Sequence, residues 1–575
     1  MFKSFVKYGL LAMLVFHFLS AFPQAVSLTY SKDKTVIAHG QSIFQQKCAA
    51  CHNFKQQGIG PNLSGITSAM PAKWISDFIH NSQQLVKKGD KRAVAIFNKY
   101  KVPMPSNADL DATDMNALLS FIDTHKKSLA DQARLDKTAV GLGPVKVDPL
   151  PARIIKSNLV LQLEEVMTAP PSADKVPTAR INQMTVLKGE KERVFLADLR
   201  GKLYLFRHNT MQEVMDISKL KPAFIHTPGL ASGLGSYAFH PGFNTNGLLY
   251  TTHTEKAGSA LADFRYHDSI RVALQWVVTE WKVDSPLSDT FVCKGRELFR
   301  INMPVEIHGM QQIVFNQLAT RDSADYGLLY IGIGDGGSAE NGLSYLCNSN
   351  TKLWSSVLRI DPAGNNSANK KYGIPSINPY ANDKVPGAAG EIFARGFRNP
   401  NRISWSPDGK MLISDIGLNN IEELNIGFAG ADYGWPAREG TFLLNYKGRM
   451  NVVYTLPAGK SKFINPVVQY DHDEGNAISA GFVYTGSIPL LKDKYVFGDI
   501  VRGRVFYVEN SSLVPGKQAN IKEFNLVFDD KPSTFLEVTK NSKADLRIGI
   551  GENDEMYLFT KTDGKIWIVR DCRAK

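Results

Sequence analysis

Five residues, Cys48-Ala49-Ala50-Cys51-His52, carry the plainest chemistry in the chain. Two thiols at this spacing followed at once by an imidazole attach a c-type haem, with His52 on one axial position of the iron. A zinc half-site or a disulfide loop would use the same cysteines, but neither calls for the adjoining histidine. A high-potential haem takes a thioether as its second axial ligand. Met70 and Met104 are the candidates, each followed by proline. Met70 follows His52 so closely that little chain is left to wrap a haem, so Met104 is the preferred ligand.

Such ligands need a small helical frame. Gly40 to Cys48 reads as a short amphipathic helix running into the motif, and Gly60-Pro61-Asn62-Leu63-Ser64-Gly65 as a tight loop. Trp74 to Ile79 and Asp114 to His125 have helical periodicity, the latter with Met115, Leu118, Leu119 and Ile122 on one face. Residues 36–128 resemble a class I cytochrome c, all-α, in the order CxxCH, GPNLxG, Met-Pro loop and closing helix. That family carries its methionine ligand just before the closing helix, where Met104 stands.

The haem frame uses a minor part of 575 residues. With 43% hydrophobic and 21% charged residues, the chain has a globular composition. Its net charge of +12 suits an anionic partner or cofactor as well as a solvated surface. No Lys/Arg run interleaved with aromatics argues for nucleic acid. Lys3 and Lys7 ahead of the apolar run from Leu10 to Phe22 read as a signal peptide over 1–27, or else an N-terminal anchor. No later segment is long and apolar enough to span a bilayer. The expected location is therefore periplasmic or secreted. Cys293, Cys347 and Cys572 remain beside the haem pair, and a Cys293–Cys347 disulfide is the expected pairing.

Residues 129–152 read as a linker, rich in proline and glycine towards Pro151. Beyond it, over 153–575, helical periodicity gives way to strands and turns. A turn followed by an apolar-aromatic strand recurs at Gly201–Tyr204, Asn246–Tyr250, Gly327–Tyr330, Asp408–Leu412, Lys492–Val496 and Asn553–Tyr557. Six such echoes predict a mainly β fold, a six-bladed β-propeller following the all-α domain. Two stacked sandwiches are the alternative.

Several motifs here resemble the soluble quinoprotein glucose/sorbosone dehydrogenases, which bind pyrroloquinoline quinone (PQQ). They are Ala238-Phe239-His240-Pro241-Gly242-Phe243, Tyr330-Ile331-Gly332-Ile333-Gly334-Asp335-Gly336-Gly337, Ala394-Arg395-Gly396-Phe397-Arg398-Asn399-Pro400 and Asp432-Tyr433-Gly434-Trp435-Pro436. The resemblance implies His308 as the base that takes the substrate's hydroxyl proton while hydride passes to the quinone, and Asp335 as the carboxylate orienting it. It implies Arg398 and Asn399 on the quinone oxygens and a carboxylate, and basic contacts from Arg502 (with Arg504 as a rival) and Arg547. It also implies calcium held by the carbonyls of Gly417 and Leu418, with a second, structural calcium at Glu423 and the Tyr433 carbonyl.

Two departures bear on the substrate. Ala231-Ser232 stands where sugar dehydrogenases use a polar side chain, and Tyr470-Asp471-His472-Asp473-Glu474-Gly475 replaces their aromatic platform. The expectation is a quinohaemoprotein dehydrogenase that oxidises a sugar or related alcohol with PQQ. It would pass electrons to its own haem c and then to a cytochrome, copper protein or quinone. The alternative is a non-catalytic propeller that binds a partner or glycan, fused to an electron-transfer cytochrome.

Overall fold

The computed structural model describes residues 30–49, 51–55, 60–100, 103–127, 141–174, 176–189, 192–227, 231–457 and 462–575. The expected signal segment 1–27 and the first part of the expected linker lie outside the described residues. No described helix is long and apolar enough to cross a membrane.

Among the described residues, five helices form the N-terminal unit: α1 (Lys34–Lys47), α2 (Ile66–Ala69), α3 (Ala72–Lys87), α4 (Lys91–Tyr100) and α5 (Ala112–Asp123). The Asp33 side chain caps α1 by accepting from the Thr35 N–H, and Asp111 caps α5 through the Asp114 N–H. α1 and α5 pack together where Gly40 meets α5, since a Cβ on Gly40 would lie 1.9 Å from the Ala117 carbonyl oxygen. Ile43, Phe44, Met115, Leu118 and Ile122 fill the resulting core. The sequence pattern marks only 74–79 of α3 and none of α4. Among the described residues of α4 only Ala93 is buried, so there is almost no apolar stripe to read.

Beyond residue 153 the chain is β. The first sheet holds Ile181–Leu187, Arg193–Asp198, Lys202–Arg207 and Thr210–Asp216. The second holds Leu234–Phe239, Leu248–Lys256, Leu274–Val283 and Cys293–Met303, and the third Gln312–Phe315, Leu329–Ile333, Ser356–Ile360 and Ile392–Arg395. In the fourth, Pro400–Trp405, Met411–Asp415 and Ile421–Ile426 are completed by Val468–Asp471. A longer sheet joins two antiparallel groups: Ile478–Val483, Lys494–Asp499, Val505–Glu509 and Lys522–Phe528 (the fifth), then Leu546–Ile550, Met556–Thr560, Lys565–Ala574 and Ile155–Thr168 (the sixth). Their junction is the parallel pairing of Ile155–Thr168 with Lys522–Phe528. An N-terminal strand thus completes a sheet otherwise built from the C-terminus.

The leading strands of these groups pack against one another in a closed cycle, the sixth meeting the first. Two stacked sandwiches would not close this way. Side chains lace the cycle: Asn182 Nδ2 donates to the Gly235 carbonyl at 3.0 Å, the Ile313 N–H to Ser236 Oγ at 3.0 Å, and Ser479 Oγ to the Leu546 carbonyl at 2.9 Å. Arg402 spans the centre, donating to the carbonyls of Gln311 and Asn182 at 2.8 and 2.7 Å.

Two expectations change here. Part of the expected linker belongs to the β region: Val145–Lys146 pairs with Val453–Tyr454, and the Leu150 N–H donates to Asp471 Oδ2. Cys293 and Cys347 are both free thiols. They sit in separate apolar clusters, Cys293 beside the second sheet and Cys347 near Trp435, and so do not meet.

Candidate functional site

One end of the cycle holds a cavity of about 200 Å³. Its walls come from the start of the leading strand of each group: Arg180 and Asn182, Ala231, His308 and Gln311, Asn399 and Asn401, Ala477, then Lys543, Asp545 and Arg547. Loops at one end of a rigid β frame are a common place for function.

His308 lies in the loop between the second and third sheets with left-handed backbone, φ 53°. Gly334 permits this, because a Cβ there would lie 2.3 Å from the His308 carbonyl oxygen. His308 Nδ1 is 2.8 Å from Asp335 Oδ1. Asp335 is fully buried and is further held by the Gly337 N–H on Oδ1 at 2.8 Å and by Trp435 Nε1 on Oδ2 at 3.1 Å. Burial pushes this carboxyl up, but the His308 bond and charge, with Arg398 nearby, hold it below its ordinary value. An ionised Asp335 keeps the proton of a neutral His308 on Nδ1, so Nε2 carries the lone pair that a base needs.

Four cations line the cavity, Arg180, Lys543, Arg547 and Lys561, against one carboxylate, Asp545. Burial, and then Arg547, drive the Lys561 ammonium far below its ordinary pKa. Burial also lowers Arg180, to about 10. Asp545 is held strongly ionised against burial by Lys543, Lys561 and Arg547. Arg547 Nε and Asn399 Oδ1 are buried without a protein hydrogen-bond partner. Excess positive charge in a partly enclosed slot, with the Arg547 Nε donor unspent, suits a polyanionic ligand.

A second cavity, about 260 Å³, lies in the helical unit and is lined by Cys48, Cys51, His52 and Met104. His52 Nδ1 lies 2.9 Å from the Pro61 carbonyl, which fixes the proton there and leaves Nε2 for iron. A Cβ on Gly60 would lie 2.4 Å from the His52 ring. Cysteines, free imidazole nitrogen and thioether together fit a covalent haem. Met70 is absent from this lining and packs against the helical core. Met104→Ala should therefore lower the haem midpoint potential, because the thioether favours ferrous iron, while Met70→Ala should leave it near the parent value. A spectroelectrochemical titration of each variant checks this.

Other residues singled out in the sequence lie elsewhere. Arg398 is buried, with its guanidinium on Glu340 Oε1 at 2.6 Å and on the carbonyls of Ile416 and Gly417 at 3.2 and 2.5 Å. Gly417 thus offers its carbonyl to a fixed cation, and the Leu418 N–H donates to Glu439. A calcium ion at the Gly417 carbonyl would share that oxygen with the Arg398 guanidinium. Glu423 lies beside Asp415, accepting from the Gly440 N–H and from Asn425; burial raises its pKa. The Tyr433 hydroxyl donates to the Ile426 carbonyl. Arg502 donates to the carbonyls of Asp473 and His472 and to Asn476, and Arg504 to Glu474 and Glu523, so neither lines the cavity.

Residues 181–527 match the family described as glucose/sorbosone dehydrogenase, and residues 37–126 match cytochrome c. The chain belongs to the glucose/sorbosone dehydrogenase family and carries an N-terminal cytochrome c domain. Among curated relatives it is 26% identical to the HIPL1 protein of Arabidopsis thaliana, over 52% of this chain and 45% of that one. It is 23% identical to quinoprotein glucose dehydrogenase B of Acinetobacter calcoaceticus, over 60% and 76%. The chain spans less than two thirds of HIPL1 and of the similar HIPL2 protein. A solved structure, the PQQ-bound form of aldose sugar dehydrogenase from Streptomyces coelicolor, is similar at 17% identity, with 71% and 96% coverage and a TM-score of 0.45.

Within this family member, the unforeseen site residues are Arg180, Lys543, Lys561 and Asp545. Lys543-Ala544-Asp545-Leu546-Arg547 held the one usable signal, charges alternating with apolar residues at the head of a strand.

Proposed function

We propose that the chain is a quinohaemoprotein dehydrogenase built on a six-bladed propeller, oxidising a CH–OH group of a sugar or related alcohol with bound PQQ. The observation that carries this reading is the His308–Asp335 pair opening onto a cavity with four cations and one carboxylate. Arg180, Lys543, Arg547 and Lys561 would hold the three carboxylates of PQQ, and Asn399 would meet its polar edge. When bound, the quinone supplies a two-electron acceptor for hydride.

His308 Nε2 accepts the substrate's hydroxyl proton as the C–H bond breaks. Asp335 stabilises the imidazolium so formed, and Trp435 with the Gly337 N–H keeps the carboxylate aimed. The haem domain then takes the electrons one at a time, at the high effective concentration that covalent linkage gives. A one-electron carrier outside the chain receives them. A cytochrome of this type is assembled in an exporting, oxidising compartment, so we place the protein in the periplasm or outside the cell.

The HIPL similarity favours a second reading, a binding module without catalysis. Titrating PQQ into haem-loaded protein and adding a panel of sugars and polyols separates the two. Stoichiometric binding with substrate-dependent haem reduction is the expected result. Haem that stays ferric with every substrate, despite bound PQQ, would sink the enzyme reading.

A further inference from the structure

The two cavities share a wall. Val501 and Lys543 line both the haem cavity and the cationic cavity. The wall is tied together, since the Ala544 N–H donates to the Val501 carbonyl at 2.9 Å and the Val501 N–H to Asp499 Oδ1 at 3.0 Å. Val501 is buried, whereas the Lys543 side chain is 37% exposed. Next to the haem motif, Lys55 Nζ reaches the Asn341 carbonyl at 3.4 Å.

We propose that Val501 and Lys543 form a partition one residue thick, through which electrons cross from the cationic cavity to the haem, and that Lys543 sets the electrostatics on both sides. The Lys543 ammonium pairs with Asp545 Oδ2 at 3.4 Å on one side. On the other, Lys543 lines the haem cavity together with Cys51 and His52. The inference rests on the quinone reading above.

The electron balance is simple. Converting one CH–OH to C=O releases two electrons and two protons. The protons leave to solvent. Each electron crosses the partition singly and reduces one ferric haem to ferrous, and an external one-electron carrier reoxidises the haem before the second crossing.

The test uses the full haem-loaded chain, first without PQQ. A positive charge beside the haem destabilises ferric iron. Removing it in Lys543→Gln should lower the ferrous-to-ferric ratio at a fixed ambient potential by about threefold to tenfold, less at high salt. Lys543→Glu should move the ratio further in the same direction, and Lys543→Arg should restore it. Unchanged haem absorbance confirms that each variant is folded. The affinity of each variant for PQQ is then measured by titration, and Gln and Glu should both weaken it. A ratio that does not move, with PQQ affinity reduced, overturns the shared partition and leaves the quinone reading standing. If the parent protein takes up no PQQ, the quinone reading fails and the inference fails with it.

Discussion

His308→Gln is expected to slow substrate-driven haem reduction by about 10²- to 10⁴-fold, the usual contribution of a positioned general base. Glutamine fills similar space but has no lone pair basic enough to take a hydroxyl proton. Haem reduction by ascorbate should stay at the parent value, because His308 is not among the residues lining the haem cavity. Asp335→Asn should fall in the same range for a different reason. An amide Nδ2 facing His308 Nδ1 would donate where the carboxylate accepts, moving the ring proton to Nε2 and removing the base. Stopped-flow haem absorbance measures both. Parent-rate reduction in His308→Gln would show that another group removes the proton.

Binding of PQQ to the parent protein is expected to take up a proton and to weaken as pH rises. The sign follows from Lys561. In the free site, burial and the neighbouring Arg547, Arg180 and Lys543 depress its pKa well below the ordinary 10.5, although Asp545 opposes them. Ligand carboxylates favour the ammonium and raise that pKa. Between the depressed value and the restored one, binding recruits up to one proton, so affinity falls by up to about tenfold per pH unit across that window. Calorimetry in two buffers of different ionisation enthalpy counts the proton directly. Lys561→Met should abolish the uptake and cost about 10- to 100-fold in affinity at the low-pH end, as for a lost charge-assisted hydrogen bond. Binding of parent protein with no proton exchange would contradict this account.

The haem frame was readable because CxxCH and the closing helix are local patterns. In the β region, five of the six turn-strand echoes fall on the second strand of their sheet. The exception, at Gly201–Tyr204, marks the third strand of the first sheet, whose second strand is Arg193–Asp198. The period was legible because every hairpin needs the same turn chemistry and the same half-buried strand after it. His308 and Asp335 were reached through the family resemblance, since no local pattern marks a buried His–Asp contact between two loops.

Arginine direction was not legible. Arg398 and Arg502 stand at motif positions, yet Glu340 and the carbonyls of His472 and Asp473 claim them. Those partners lie on separate loops, and no spacing within the chain reports which loop a guanidinium will meet. Arg180 and Lys561, nearly 400 residues apart, converge only because the first and sixth sheets adjoin.

The sixth sheet is itself completed by the strand Ile155–Thr168, which inserts between Lys522–Phe528 and Lys565–Ala574. One of its partner strands is synthesised long after it; Glu165 meets Lys565 across 400 positions. The haem domain can therefore finish folding while the rest of the chain is still emerging, but the β cycle stays open until Lys565–Ala574 has been made. A molecule cut before Lys565 would carry a complete cytochrome on an unsealed ring. Such a product would be red and redox-active but would lack the closed cationic cavity, so colour alone is an unsafe measure of assembly.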